Sequence, residues 1–268
     1  MNWVVLGLMV LLFFTGMPIA LAIGFCSLLY AAFVAGVPLS IIPQQVIGGI
    51  DTFLLLAVPM FILTGSLMCE GDVTARLVRF SQSLVGWLRG GLALVNVLTN
   101  VIISGISGSG LADSAATGSA LIPLMKKTGY GAAFSAAVTA CGSTVGPIIP
   151  PSIIMVVIGG LTSISIGRMF LGGIVPGLIL GFMFGLVCYV VSRRRNYPIV
   201  AGFSAVEVVR SFLSALPSLG LPIIIIVGIL TGAFTPTESA GVAAVYVIGL
   251  GLVYRNMTWK GFYRAVVE

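Results

Sequence analysis

Long apolar stretches, separated by short polar or basic links, follow one another along almost the whole chain. Residues 3–35 contain no charged residue. As one straight helix they would measure about 50 Å, which exceeds the roughly 30 Å thickness of a bilayer core. Gly16-Met17-Pro18 therefore predicts a break inside this stretch. Further apolar segments occupy residues 53–68, 92–125, 134–160, 169–191, 217–233 and 240–254. The pattern predicts an all-α polytopic integral membrane protein.

Two segments have a different, amphipathic pattern. Residues 70–89 carry charges, and Leu77, Phe80, Leu84 and Trp87 recur at helical spacing. We expect this helix to lie along the membrane surface. A second, shorter amphipathic piece is expected at residues 203–216, separate from the apolar segment that follows it.

Composition supports this class and excludes others. The 268 residues are 59% hydrophobic and 7% charged, whereas a soluble protein carries about 25% charged residues. The net charge of +6 comes from basic residues in short groups, which are typical of topology signals rather than of nucleic-acid binding. There is no histidine, which excludes His-ligated metals and Ser-His catalysis. With no paired carboxylates either, we expect no enzymatic activity and no bound cofactor.

Basic residues at both ends of residues 92–125 constrain the topology. Arg89 precedes this segment and Lys126-Lys127 close it, so the positive-inside rule places both ends in the cytoplasm. A segment that crosses the membrane once has its ends on opposite sides, whereas a re-entrant helical hairpin has both ends on the same side. Residues 134–160 then cross outward, and residues 169–191 return to the cytoplasmic Arg193–Arg195 triplet.

The predicted turn of the hairpin is rich in small residues. Residues 104–110 contain three serines and three glycines, and non-helical backbone at membrane depth survives only inside protein or beside an aqueous cavity. Ser107, Gly108 and Ser109 are therefore candidates for an ion or anion site. Asp113, in the first turn of the next helix, is the expected hairpin cap. The alternative is a helix-packing interface of small residues with a capping aspartate.

A second break is expected within residues 139–152. Its three prolines each remove a backbone donor and disfavour helix in the preceding residue. The carbonyls that lose partners, together with hydroxyl groups, suit sodium, and a half-helix N-terminus suits an anionic substrate group. A simple proline kink is the alternative. The candidate binding residues are Gly142, Ser143, Thr144 and Pro147, and the helix-breaking residues are Pro150 and Pro151.

Two broken segments in one chain are typical of ion-coupled secondary transporters, which are usually built from inverted repeats. A faint repeat relates residues 15–18 to residues 234–236, so a second repeat is expected to begin near Pro217. This divides the chain into N-terminal spans with the interfacial helix, a transport part, and a return span with a linker and the start of the second repeat. The respective bounds are 1–89, 90–160 (hairpin 90–127, broken helix 130–160) and 161–268.

A series of motifs along nearly the whole chain resembles the large membrane (M, DctM-type) subunit of tripartite ATP-independent periplasmic (TRAP) transporters. The motifs are Phe53–Pro59, Gly65, Arg89–Leu92, Ser107–Ser109 with Ala112-Asp113, Ile122–Met125, Gly129-Tyr130, Gly146–Ser152, Pro176-Gly177 and Phe234–Glu238. Each motif alone is weak, but together and in this order they are specific.

The resemblance implies an elevator-type fold of the ion-transporter class and sodium-coupled import of an organic acid, such as a C4-dicarboxylate or sialic acid. It further implies two partners, a small membrane subunit and a periplasmic substrate-binding protein, and a place in the bacterial inner membrane. Large subunits of this family continue into a second half, whereas this sequence stops at Glu268. The alternative is therefore a truncated, non-transporting membrane scaffold that binds partners.

Overall fold

The described part of the chain is helical. The computed structural model describes residues 2–36, 38, 40–51, 53–70, 73–200, 202–254 and 258–267, and no strand occurs among them, which confirms the all-α prediction. A 3₁₀ turn, Phe53–Leu56, precedes the fourth helix. The helices are α1 (Asn2–Phe14), α2 (Ile19–Phe33), α3 (Ile41–Ile50), α4 (Ala57–Glu70), α5 (Val73–Val85), α6 (Gly91–Ser107), α7 (Gly110–Lys127), α8 (Ala132–Ser143), α9 (Ile153–Thr162), α10 (Ile166–Arg194), α11 (Ala205–Leu230), α12 (Pro236–Val253) and α13 (Trp259–Val267).

Residues Met1–Thr52 form one compact unit. Within it, α1 packs against α2, and the chain between them contains the predicted break at Gly16-Met17-Pro18. Gly16 has a φ of +78°, a left-handed conformation that glycine adopts without steric cost because it lacks a Cβ atom. The break inside the first apolar stretch is therefore confirmed.

Residues Phe53–Glu268 form a second compact unit. By length and composition, three of its described helices can cross a membrane, namely α10, α11 and α12, and shorter apolar helices accompany them. Large apolar side chains lie exposed on these helices: Phe182 is 67% exposed and Val245 71%. Such surfaces are unfavourable in water but match lipid.

Helix α11 corrects the sequence analysis. A short amphipathic piece at residues 203–216 and a separate apolar segment were expected, but one helix continues through Pro217 and Pro222. Prolines are tolerated within membrane helices where neighbouring helices support the chain around them. Here α12 packs against α11, and the Tyr246 hydroxyl of α12 donates to the Pro217 carbonyl oxygen at 2.8 Å.

Helix α5 lies within residues 70–89, the predicted amphipathic segment, and packs against α6 and α11. Its Leu77 is fully buried. The Arg76 guanidinium donates to Ser214 Oγ at 2.7 Å and lies 3.9 Å from the centre of the Tyr254 ring. These contacts tie α5 to α11 and to the end of α12. Its position at the membrane surface stays a prediction.

Helix α6 is the central element around the site. It packs against α5, α7, α8 and α10 and is buried along most of its length. One cluster of buried apolar residues, which includes Leu92, Met125 and Tyr130, surrounds its first half. Another, which includes Ile103 and Ile106, surrounds its second half. Because α6 is held on all sides, its last turn has a fixed position, and the candidate residues begin there.

Candidate functional site

The chain turns sharply between α6 and α7. Gly108 follows the last residue of α6 and has a left-handed φ of +61°, and its N–H donates to the Ser104 carbonyl oxygen at 3.2 Å. Ser109 is the N-cap of α7, and its hydroxyl accepts from the Ala112 N–H at 3.4 Å. The turn expected within residues 104–110 is thus formed by two residues, and it joins two helices that pack against each other.

The second break separates α8 from α9. Helix α8 ends at Ser143, α9 begins at Ile153, and residues 144–152 form turns between them. Ser152 closes this segment, because its hydroxyl donates to the Pro147 carbonyl oxygen at 2.7 Å and accepts from the Met155 N–H at 3.3 Å. The helix is therefore interrupted over several residues rather than kinked at one proline.

The two breaks are in direct contact. The Ile153 N–H donates to the Gly108 carbonyl oxygen at 3.3 Å. A Cβ atom on Gly108 would lie 2.3 Å from the Pro151 carbonyl oxygen, and one on Gly110 would lie 2.7 Å from the Ser143 carbonyl oxygen. Side chains at these glycines would push the two segments apart, so the glycines permit the close approach of backbone to backbone.

A cavity of about 610 Å³ lies where the breaks meet. It brings together five of the candidate residues, Gly108, Ser109, Ser143, Thr144 and Pro147. The N-terminal turns of α7 and α9 also line it, through Gly110, Leu111, Ile153 and Ile154. The cavity is therefore bordered by two helix N-termini, whose positive dipole ends favour an anion.

The remaining candidates lie beside the cavity rather than in its lining. Ser107 and Asp113 are buried behind the hairpin turn, and Pro150 and Pro151 are buried in the second break. Gly142 packs against α6, since a Cβ atom there would lie 3.0 Å from Asn100 Nδ2. These residues shape or support the cavity, whereas the first five can touch its contents.

The hydroxyl groups in the lining have a common arrangement. Ser143 Oγ donates to the Ala140 carbonyl oxygen at 3.0 Å, and Thr144 Oγ1 donates to the Cys141 carbonyl oxygen at 2.7 Å. Because each hydroxyl hydrogen is donated to a backbone carbonyl of α8, the oxygen lone pairs remain as acceptors. Oxygen lone pairs are the ligands that hard cations take.

Asp113 differs from the expected hairpin cap. Its carboxylate accepts hydrogen bonds from Ser104 Oγ, at 2.7 Å, and from Ser107 Oγ. The cap itself is Ser109, because a capping side chain must reach the N–H groups of the next two or three residues. Asp113 lies one turn beyond that position and faces α6 instead. It joins the hairpin's two helices, and its side chain is fully buried.

The sequence analysis missed a line of buried polar residues that extends from Asp113 along α6. Asn100 Nδ2 donates to Asn96 Oδ1 at 2.9 Å, and Thr117 Oγ1 of α7 donates to Asn100 Oδ1 at 3.1 Å. Asn96 Nδ2 donates in turn to Thr139 Oγ1 of α8 at 2.8 Å.

The spacing of these residues in the sequence could have predicted that they lie together. Asn96, Asn100, Ser104 and Ser107 recur every three or four residues and so share one face of α6. Polar groups buried in apolar surroundings must find partners. This polar face therefore determines how α7 and α8 pack on α6. Their packing in turn positions the two breaks.

Comparison with known proteins identifies relatives along almost the whole chain. A family model described as "Tripartite ATP-independent periplasmic transporter, DctM component" matches residues 6–268. The sialic acid TRAP transporter large permease protein SiaM of Vibrio cholerae is 38% identical over 96% of this chain and 60% of its own length. The C4-dicarboxylate TRAP transporter large permease protein DctM of the same organism is 40% identical, over 94% and 55%.

A third relative, the 2,3-diketo-L-gulonate TRAP transporter large permease protein YiaN of Escherichia coli, is 36% identical over 94% of this chain and 60% of its own. The chain thus spans little more than half the length of these relatives.

Proposed function

The chain belongs to the DctM component family of TRAP transporters, and from that premise we propose that it takes part in the sodium-coupled import of an organic acid as the large membrane subunit. The family consists of transport permeases rather than enzymes, and its members are multi-pass inner-membrane proteins. The observation that carries the proposal is the contact between two interrupted helices around one cavity.

An organic acid is the substrate class that the cavity favours. The three relatives are named for sialic acid, C4-dicarboxylates and 2,3-diketo-L-gulonate, which all carry carboxylates. The N-terminal turns of α7 and α9 both border the cavity. Helix N-termini supply unpaired N–H groups and the positive end of a helix dipole, which stabilise a carboxylate without an arginine.

Sodium is the proposed coupling ion. Its ligands would be the hydroxyl oxygens of Ser109, Ser143 and Thr144, with backbone carbonyls of the two breaks, and Ser107 would support them from behind the hairpin turn. Ser109, Ser143 and Thr144 line one cavity although they come from different segments. Discontinuous membrane helices place cation-binding carbonyls and anion-binding N–H groups next to each other. A sodium ion bound here would therefore also make the binding of an anionic substrate electrostatically more favourable.

Re-entrant topology and an elevator-type movement complete the proposal. Arg89 and Lys126-Lys127 flank the α6–α7 pair, and the tight turn between these helices supports a hairpin whose two ends lie in the cytoplasm. The proposed partners are a small membrane subunit and a periplasmic binding protein that delivers the acid. A non-transporting scaffold is not favoured, because the matched relatives are transport permeases.

Uptake by reconstituted protein tests this function. The assembled transporter, with its small subunit and binding protein, is placed in proteoliposomes, and uptake of labelled sialic acid, a C4-dicarboxylate and a diketo sugar acid is measured. We expect uptake of one of these acids only when an inward sodium gradient is imposed. A potassium gradient of the same size is the control. Equal uptake under both gradients would contradict sodium coupling.

A further inference from the structure

A second cavity lies between α6 and α10, away from the two breaks. Leu94 Cδ2 lies 3.9 Å from the position of a Cβ atom on Gly185, and Val101 Cγ2 lies 2.6 Å from that on Gly181. The two helices therefore run antiparallel, and the glycines of α10 let them approach closely. The cavity, of about 490 Å³, is a groove along this contact.

Apolar side chains line the groove, with Tyr189 at one end. On α10 the lining extends from Leu178 to Tyr189, a distance of about 16 Å at the rise of an α-helix. One leaflet of a bilayer core is about 15 Å thick. Phe182 is 67% exposed and Leu178 53%. The groove therefore has the length and the chemistry of a site for one acyl chain.

Basic residues surround the end of the groove marked by Tyr189. Arg89 directly follows Leu88, a lining residue, and Arg193 lies one helical turn beyond Tyr189. Gly90 brings the chain segments that carry the two arginines close together, because it packs so closely on Ser192 that a Cβ atom would lie 2.1 Å from Ser192 Cβ.

A smaller cavity, of about 310 Å³, is lined by Arg89, which precedes α6, and by Asn196, Tyr197, Pro198 and Ile199, which follow α10. Arg193 and Arg194, shortly before these residues in the chain, are exposed. Among the described residues that line either cavity, none is acidic. The start of α6 and the end of α10 thus carry positive charge, which complements an anion.

We propose that this groove binds an anionic phospholipid, with an acyl chain between α6 and α10 and the phosphate group beside Arg89 and Arg193. Basic pockets between membrane helices bind anionic headgroups in this way, and a Lys or Arg near such a headgroup contributes substantially to binding. The charge at one end selects the lipid class, and the apolar groove selects a lipid over a free phosphate. The proposal requires the membrane location of the chain but not the transport activity.

Lipid binding to the purified chain in a neutral detergent tests it. Native mass spectrometry gives the affinity for dioleoyl phosphatidylglycerol, dioleoyl phosphatidylcholine and glycerol 1-phosphate. We expect tight binding of phosphatidylglycerol, weaker binding of phosphatidylcholine and no binding of glycerol phosphate. Equal affinity for the two lipids, or binding of glycerol phosphate as tight as that of phosphatidylglycerol, would overturn the proposal.

Two kinds of variant separate the headgroup from the chain. Arg89→Gln and Arg193→Gln should each lower the affinity for phosphatidylglycerol about fivefold and leave the affinity for phosphatidylcholine unchanged. Gly185→Leu, which fills the groove, should lower the affinity for both lipids about tenfold. Arg168→Gln at the other end of α10 and Gly172→Leu, whose Cβ atom would meet nothing within 4 Å, are the matched controls.

Unchanged phosphatidylglycerol binding in Gly185→Leu, with thermal unfolding as in the Gly172→Leu control, would show that no acyl chain occupies the groove. The arginine variants keep the test decisive if Gly185→Leu fails to fold, since their side chains are exposed.

Discussion

At the scale of single residues, Asp113 holds the hairpin together. Its carboxylate accepts from Ser104 and Ser107 of α6 while its own backbone belongs to α7. Direct contact with an organic acid would place two negative charges next to each other, which is unfavourable. We therefore assign Asp113 a positioning role, in which it fixes the turn that carries Ser109 into the cavity.

Substitution of Asp113 distinguishes a positioning role from a requirement of transport for the negative charge of its side chain. Asparagine keeps one acceptor, and its amide N–H can donate to a serine hydroxyl, so Asp113→Asn should retain much of the transport. Asp113→Ala leaves two buried hydroxyl groups without their partner, which costs roughly 1–3 kcal/mol for each unsatisfied group. Initial uptake rates and thermal unfolding measure both effects. If asparagine abolished transport as fully as alanine while sodium still bound, the charge itself would be essential.

The glycines between the breaks give a second residue-scale prediction. Gly110→Ala would place a Cβ atom 2.7 Å from the Ser143 carbonyl oxygen, and the backbone must shift to admit it. We expect a loss of about 1–3 kcal/mol in the free energy of unfolding, the usual cost of overpacking. Gly172→Ala in α10 is the control, because nothing lies within 4 Å of its Cβ position. Denaturant unfolding that gave both variants the same stability would contradict the contact between the breaks.

At the scale of elements, the α6–α7 pair decides the topology of the site. Its two helices contact each other and share the polar face of Asn100, Thr117 and Asp113. A polar seam of this kind needs a partner helix throughout its length, because an unpaired polar group in lipid costs several kcal/mol. We therefore expect the two helices to insert into the membrane as one unit.

Both ends of this pair should face the cytoplasm. In a variant without native cysteines, we expect Arg89→Cys and Lys127→Cys to react with a membrane-impermeant maleimide only from the cytoplasmic side. The side chains at both positions are exposed, so access does not limit labelling. Arg168→Cys, at the opposite end of α10 from the arginine triplet, should react only from the other side. Labelling of positions 89 and 127 from opposite sides would exclude the re-entrant hairpin.

At the scale of the whole molecule, the proposed sodium coupling requires oxygens that come from separate segments of the chain. In the assembled transporter, alanine at Ser107, Ser109, Ser143 and Thr144 together should raise the sodium concentration for half-maximal uptake about tenfold or more. The reason is that several ligands, each contributing about 1 kcal/mol, are lost at once. Single substitutions should have smaller effects, because backbone carbonyls remain. Sodium titration of uptake is the measurement.

A matched quadruple variant controls for the loss of hydroxyl groups as such. Ser119, Thr128, Thr162 and Thr231 also donate to carbonyl oxygens of their own helices, but they do not line the cavity between the breaks. Alanine at these four positions should leave sodium activation unchanged. Unaltered activation in the Ser107, Ser109, Ser143 and Thr144 variant, with thermal unfolding intact, would exclude the assigned sodium site.

The features that depend on local chemistry follow from the amino-acid sequence alone. Apolar stretches long enough for lipid predict membrane helices, and glycine with proline at Gly16-Met17-Pro18 or through residues 144–152 interrupts them, because these residues lack either a Cβ atom or an N–H group. The motifs in order along the chain were enough to identify the family. No contact between distant segments is needed for any of these conclusions.

The remaining features required the three-dimensional structure, because they depend on which backbone groups find partners in space. Pro217 leaves α11 intact where a break was expected, with Tyr246 hydrogen-bonded to its carbonyl oxygen. Ser109 rather than Asp113 caps α7, and Asp113 turns to the serines of α6. The meeting of the two breaks could not be predicted, since the approach of Gly108 to Pro151 is set by the packing of α6 against its neighbours. Local sequence specifies where a helix can stop, and only packing specifies what lies opposite the gap.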